Sequence, residues 1–348
     1  MKKIYYSFFL FIIPAYLYSL EIKSVSQVCQ LTGEGTINHT ELAGIKGTDL
    51  GIPVEYKRWM FFFFGDTFNT KDIHDPKAEW RSNVMAYSTD SDASDGIVFD
   101  DWIRDNYSFA REMIHSDKID KKEITVIPTA GITIGNRVWV AYMSVNHWGE
   151  SGKWNCNYSG YAYSDDAGSN MHKYSGIKWK GDSNFVQLAF ARQSSDIYIW
   201  GTPSGRFGGV KLATVDESNF GSFKSYRYFI GIDTVNQMSL WTNKEKDAAE
   251  IISPPVGEIS VAWNDYLQRW IMTYLNEEKH EIVIRDSPQP WGPWSEEKVL
   301  VHGYGEYTGL FGAYIHPRFF ENGGKSVYFL MTLWPKYNVF LMKATFEK

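Results

Sequence analysis

"RWMFFFFGDTF", residues 58–68, runs four consecutive phenylalanines into a Gly-Asp step. An apolar run this short reads as a strand buried on both faces, since a helix needs ten or more residues. Gly65 ends the run, and Asp66 follows where the strand leaves the core. The pattern recurs in "RVWVAYMSV" from Arg137, "DIYIWGTPS" from Asp196, "RWIMTYLNE" from Arg269 and "SVYFLMTLW" from Ser326. Five such runs in one chain point to an internal repeat.

Each run has the same neighbours. A strand of smaller residues precedes it: "GTDLGIPV", "IPTAGITI", "FVQLAFAR", "VGEISVAW" and "GAYIHPRF". A third strand follows: "SNVMAYSTD", "SGYAYSDDA", "GGVKLATVD", "EIVIRDSPQ" and "NVFLMKATF". Alternating, β-branched and aromatic runs bounded by Gly, Asn, Asp and Pro are strand signals. Three strands and a variable outer one, five times over, predict an all-β five-bladed β-propeller; a pair of β-sandwiches is the alternative. The fifth copy reaches its third strand at Phe346, so its fourth must come from elsewhere. "EIKSVSQVCQLT", residues 21–32, alternates like a strand and is expected to close the ring and remove the open edges.

Lys2 and Lys3 precede an apolar stretch, so residues 1–20 read as a secretory signal peptide ahead of a single domain over 21–348. The cleavage pattern is poor, and an uncleaved anchor stays open. A secreted or periplasmic monomer is expected. Without those two lysines the chain carries 33 basic against 41 acidic residues, a net of −8, and no basic block. Nucleic acid is thereby disfavoured as a partner. The 14 Trp and 22 Tyr exceed what a core needs and suit a surface that stacks on sugar rings. Cys29 and Cys156 are either a disulfide of an oxidising compartment or two free thiols. No His or Cys cluster has metal spacing, so no metal or cofactor is expected. "SDDAGSNM" from Ser164 is one imperfect Asp-box, a hairpin device and not a catalytic motif.

In a blade the inner strand lines the channel and the second returns antiparallel. First-strand starts and second-strand ends therefore share one face. The starts bring Asp49, Thr129, Gln187, Glu258 and His316; the ends bring Asp66, His147, Trp148, Arg206 and Trp334. Asp49, Asp66 and Glu258 are candidate catalytic acids, because glycoside hydrolysis needs one carboxyl to protonate the leaving oxygen and another as base or nucleophile. An Asp beside Gly or Thr is also a common turn former, and Glu258 suits a salt bridge equally well. Gln187, Arg206, His316 and Trp334 are candidate sugar contacts, and His147, Trp148 and Trp154 a candidate aromatic platform. Arg81 and Asn83 in "EWRSNVMAY" begin a third strand beside Asp66, within reach of hydroxyls.

These segments, in this order, resemble the DUF4185 propellers: "GTDLGIP", "FFFGDTF", "WRSNVMAYSTD", "IPTAGI", "NYSGYAYSDDAG", "GTPSGRFGGVKLA", "VGEISVAWN", "SPQPWGPWS", "YIHPRF" and "WPKYNVFLMK". The family includes secreted endo-acting D-arabinanases. The resemblance implies a five-bladed propeller and a catalytic aspartate pair, matched here by Asp49 and Asp66. It also implies a furanosidic polysaccharide, D-arabinan above all, as substrate. A non-catalytic carbohydrate-binding propeller is the rival expectation.

Overall fold

The computed structural model describes residues 20–348, so the signal-peptide segment lies outside the described residues, Leu20 apart. Strands arranged in five antiparallel sheets stand around a central channel. The inner strands are Gly47–Tyr56, Thr125–Ile134, Gln187–Gln193, Ile259–Asn264 and Leu310–Glu321. Each packs beside the next, and the first packs beside the last. Blades one, two and four run outward in chain order. Blade three is enlarged by the hairpin Arg227–Asp233/Met238–Thr242 and by Glu250–Val256 against its third strand. Helix is limited to short 3-10 segments among the described residues.

The predicted closure is present. Glu21–Gln30 lies antiparallel against Asn338–Glu347, with Ile22 opposite Phe346 and Val25 opposite Ala344. The fifth blade is thus completed by the start of the domain, and the pairing groups of its outer edge are used.

The phenylalanine run shows why a blade strand is apolar on both faces. Phe62, Phe63 and Phe64 are at most 1% exposed. Side chains alternate along the strand. Phe62 packs on Phe99 and on Phe319 of blade five, while Phe61 meets the Gly168 turn of blade two. That turn is the imperfect Asp-box, closed by Asp166 and Ser164.

Two expectations about placement change. The inner strand of blade five begins at Leu310, and its register slips between Phe311 and Tyr314 and again between Ile315 and Phe320. His316 therefore sits well down the channel instead of at the rim. It lines a cavity of about 400 Å³ with Gly131, Ala189 and Ser260, toward the end of the channel where Glu55 and Arg192 lie. Thr125, not Thr129, starts the inner strand of blade two. Cys29 and Cys156 are free thiols, in blades five and two.

Candidate active site

Asp49 owes its aim to a break in its own strand. The ladder slips on both sides of Leu50, which takes φ +68°, and Gly51 follows at +80°. Such a bulge redirects a side chain, and a left-handed Leu is strained unless its surroundings hold it. Here the Leu50 amide donates to Thr332 Oγ1 at 2.9 Å. The Asp49 carboxylate lies against Gly65, one residue before Asp66.

The two aspartates are held differently. Asp66 Oδ1 accepts from Thr125 Oγ1 at 2.6 Å and from Trp80 Nε1 at 2.8 Å. Asp49 Oδ2 accepts from Tyr337 Oη at 3.0 Å. Asp49 Oδ1 is buried without a hydrogen-bond partner among the described residues. Burial, then the neighbouring Asp66 charge, pushes the Asp49 carboxyl well above the usual range; Tyr337 opposes and Glu258 adds to the rise. Burial also raises Asp66, to about 6, against the pull of Thr125 and Trp80. With both acids desolvated and the Asp66 charge felt at Asp49, the proton is favoured on Asp49.

Glu258 stands immediately before the inner strand of blade four. Its Oε1 accepts from Arg206 Nε at 3.0 Å and Nη2 at 2.8 Å, while Oε2 is buried and unpaired among the described residues. Arg206 Nη1 reaches Glu277 Oε2 at 3.3 Å. The guanidinium lies 5.0 Å from the Phe311 ring and 5.8 Å from the Trp154 ring. Its loop is fixed by Gln187, whose Nε2 donates to the carbonyls of Pro203 and Gly205, and by the Arg206 amide on Gly152 O. Gln187 thus serves the site by holding Arg206.

The remaining candidates divide. Trp334, 53% exposed, sets its ring edge-on to Tyr337 at 5.4 Å. Trp148, 38% exposed, meets the buried Trp154 at 5.6 Å. Exposed aromatics therefore stand beside both ends of the acid cluster. His147 is beside them, paired with Asp120 at 2.6 Å. Arg81 instead donates to the carbonyls of Ala110 and Gly44, and Asn83 is buried, bonded to Ile114 and Val126 carbonyls and the Met113 and Ile114 amides. Both fasten the long connection after blade one and are spent on backbone. His316, half-buried in the channel with its imidazole pushed down to about 4 by desolvation, is remote from the rim.

Four residues that touch the cluster were not among the candidates: Trp80, Thr125, Tyr337 and Glu277. Trp80 adjoins Arg81, and alternation along the short strand Trp80–Arg81 gives the inward position to the tryptophan. The described residues form no group of three or more His, Cys, Asp and Glu side chains suited to a metal ion.

A family description, domain of unknown function DUF4185, matches residues 35–343. The chain is 30% identical over 311 residues to notoamide biosynthesis cluster protein J of Aspergillus sp. (strain MF297-2), covering 84% of this chain and 80% of that one. Among solved structures it resembles a putative hydrolase from Bacteroides ovatus ATCC 8483, with TM-score 0.60, 14% identity and 86% of each chain covered. It also resembles the GH43_1 enzyme from Xanthomonas citri, with TM-score 0.53, 9% identity and 88% of each chain covered. At such identities these structures share the fold with this chain.

Proposed function

The chain belongs to the DUF4185 family, and from that premise we propose that it is a glycoside hydrolase acting on a furanosidic polysaccharide. The observation that carries this reading is the pair of buried carboxylate oxygens, Asp49 Oδ1 and Glu258 Oε2, left unpaired in one acid cluster. A desolvated carboxylate without a donor is costly, so such a site is built for a ligand rich in hydroxyls. Asp49 carries a proton and gives it to the leaving oxygen through Oδ1. Asp66, fixed by Thr125 and Trp80, supplies the ionised partner that an acid–base pair requires. Arg206 keeps Glu258 in place beside them. Trp148 and Trp334 offer ring faces on either side, which suits a chain lying across the rim and cut internally.

D-arabinan is the substrate we propose, on the strength of the family resemblance; the curated relative's name speaks only of a biosynthesis cluster. Removal of residues 1–20 would place the enzyme outside the cytoplasm, as a secreted or periplasmic monomer. Incubating the mature protein with D-arabinan and with arabinogalactan, and resolving the products by size, tests the reading. Short arabino-oligosaccharides are expected. Tight binding of either polymer with no product across the pH range would instead make this a carbohydrate-binding propeller.

A further inference from the structure

The residue that joins the two halves of the acid pair is Phe68, the last of the stretch that reveals the fold. Its ring stacks on Trp80, with centroids 6.3 Å apart and planes at 10°, and meets the Tyr337 ring edge-on at 5.7 Å and 69°. Trp80 is the indole that donates to Asp66, and Tyr337 the phenol that donates to Asp49. Lys118 Nζ also lies over the Trp80 ring, 5.0 Å from its centroid, and Tyr337 is flanked by Trp334. Phe68 thus stands between the only two aromatic donors that reach the aspartates among the described residues.

We propose that Phe68 is a positioning residue whose ring sets the separation of Trp80 and Tyr337, and through them the mutual placement of Asp66 and Asp49. The reason is mechanical. Two buried like charges repel, and each is restrained by a donor carried on a flat ring. A ring's direction is set by what packs on its faces and edges, and geometry-specific aromatic contacts do this better than a flexible aliphatic chain. Phe68 lies two positions beyond Asp66, hence on the same face of the strand, and pairs directly with Trp80 across the ladder. One rigid element therefore fixes both donors. Its kinetic consequence rests on the hydrolase reading above; its structural consequence does not.

The test compares Phe68→Leu, which fills the space without a flat face, with Phe68→Tyr, which keeps the ring. Carbon-13 NMR of aspartate side-chain carboxyls, assigned with Asp49→Asn and Asp66→Asn, follows both titrations whether or not the protein turns over substrate. In Phe68→Leu both midpoints should rise as the donors loosen, and in Phe68→Tyr both should match the wild type. In the digestion assay kcat of Phe68→Leu should fall on the order of tenfold or more with KM changed less than about twofold. Unmoved carboxyl titrations in Phe68→Leu, or an equal shift in Phe68→Tyr, would overturn the assignment. Phe68→Met, judged by the same criteria, replaces the Leu variant if that does not fold. A wild type that releases no oligosaccharide defeats the hydrolase reading alone, since the titrations still judge Phe68.

Discussion

The carboxylate of Asp49 occupies the space that a side chain at Gly65 would need: a Cβ there would stand 2.3 Å from Oδ1. The glycine that ends the phenylalanine run is therefore part of the site, because only hydrogen at that position lets the two aspartates share one corner. Gly65 is not in the left-handed region, so alanine is tolerated by the backbone; its Cβ collides with the carboxylate and crowds Leu50 Cδ1 at 3.1 Å. Gly65→Ala is expected to fold, with turnover reduced on the order of a hundredfold as Asp49 is displaced. Wild-type kcat in this variant would show that Asp49 need not lie there.

Asp49→Asn and Asp66→Asn should each lower turnover by on the order of a hundredfold or more. Asparagine keeps the shape, and at position 66 it keeps an oxygen for Thr125 and Trp80. An aryl glycoside with a good leaving group separates the roles: it should restore bond cleavage to Asp49→Asn, which lacks the proton donor, and not to Asp66→Asn. Restoration of the opposite variant would exchange the two assignments.

Glu258→Gln examines the third acid. Its Oε2 is buried and unpaired among the described residues while Oε1 is held by Arg206, and its charge is felt at Asp49, so the charge matters beyond the ion pair. A loss of turnover comparable to the aspartate variants is expected, with the melting temperature within a few degrees of wild type. A change in kcat below about threefold would leave Glu258 as Arg206's partner only.

The ring was legible because a blade strand must be apolar on both faces and must turn every few residues. Five such runs left one strand short and one alternating segment, residues 21–32, unclaimed. The aspartate pair was legible for the same reason, since both acids interrupt apolar strands. His316 was not, because two register slips push Leu310 to the rim, and bulges leave no mark in composition. Arg81 and Asn83 misled because their carbonyl partners, such as Gly44, Ala110 and Val126, are distant in sequence. Tyr337 lies in "WPKYN", a turn between the outer strands of blade five, and only the closed ring brings it against Asp49.

Removing residues 21–32 should strip a ladder of eight residue pairs from Asn338–Glu347 and reopen the ring. The exposed edge favours aggregation, and the melting temperature should fall by roughly 10 °C or more. The exposed ion pairs Lys23–Glu347 and Lys298–Glu21 contribute little to this, so Lys23→Ala alone should be nearly neutral. A truncated protein that melts with the full domain would refute the closing role of this strand.

The raised aspartates should also be visible in the pH dependence of stability. A carboxyl whose folded value lies above its unfolded one binds more protons when folded, so stability falls as pH rises between the two values. For Asp66 that window runs from the usual 3.8 to about 6. The penalty is absent below it and complete above it, about 3 kcal/mol at full size. His316 acts in the opposite sense: its imidazole is pushed down to about 4, so acidification below its usual 6.5 destabilises the fold. The wild-type profile mixes the two, and the difference between Asp66→Asn and wild type cancels His316 and leaves the two carboxyls. Asp66→Asn removes a buried charge, relieves Asp49 of a like neighbour and leaves His316 unchanged. Its melting temperature relative to wild type should therefore climb from pH 4 to pH 6 and go on climbing while Asp49 titrates in the wild type. A flat difference across that range, or one that declines, would show that burial does not raise Asp66.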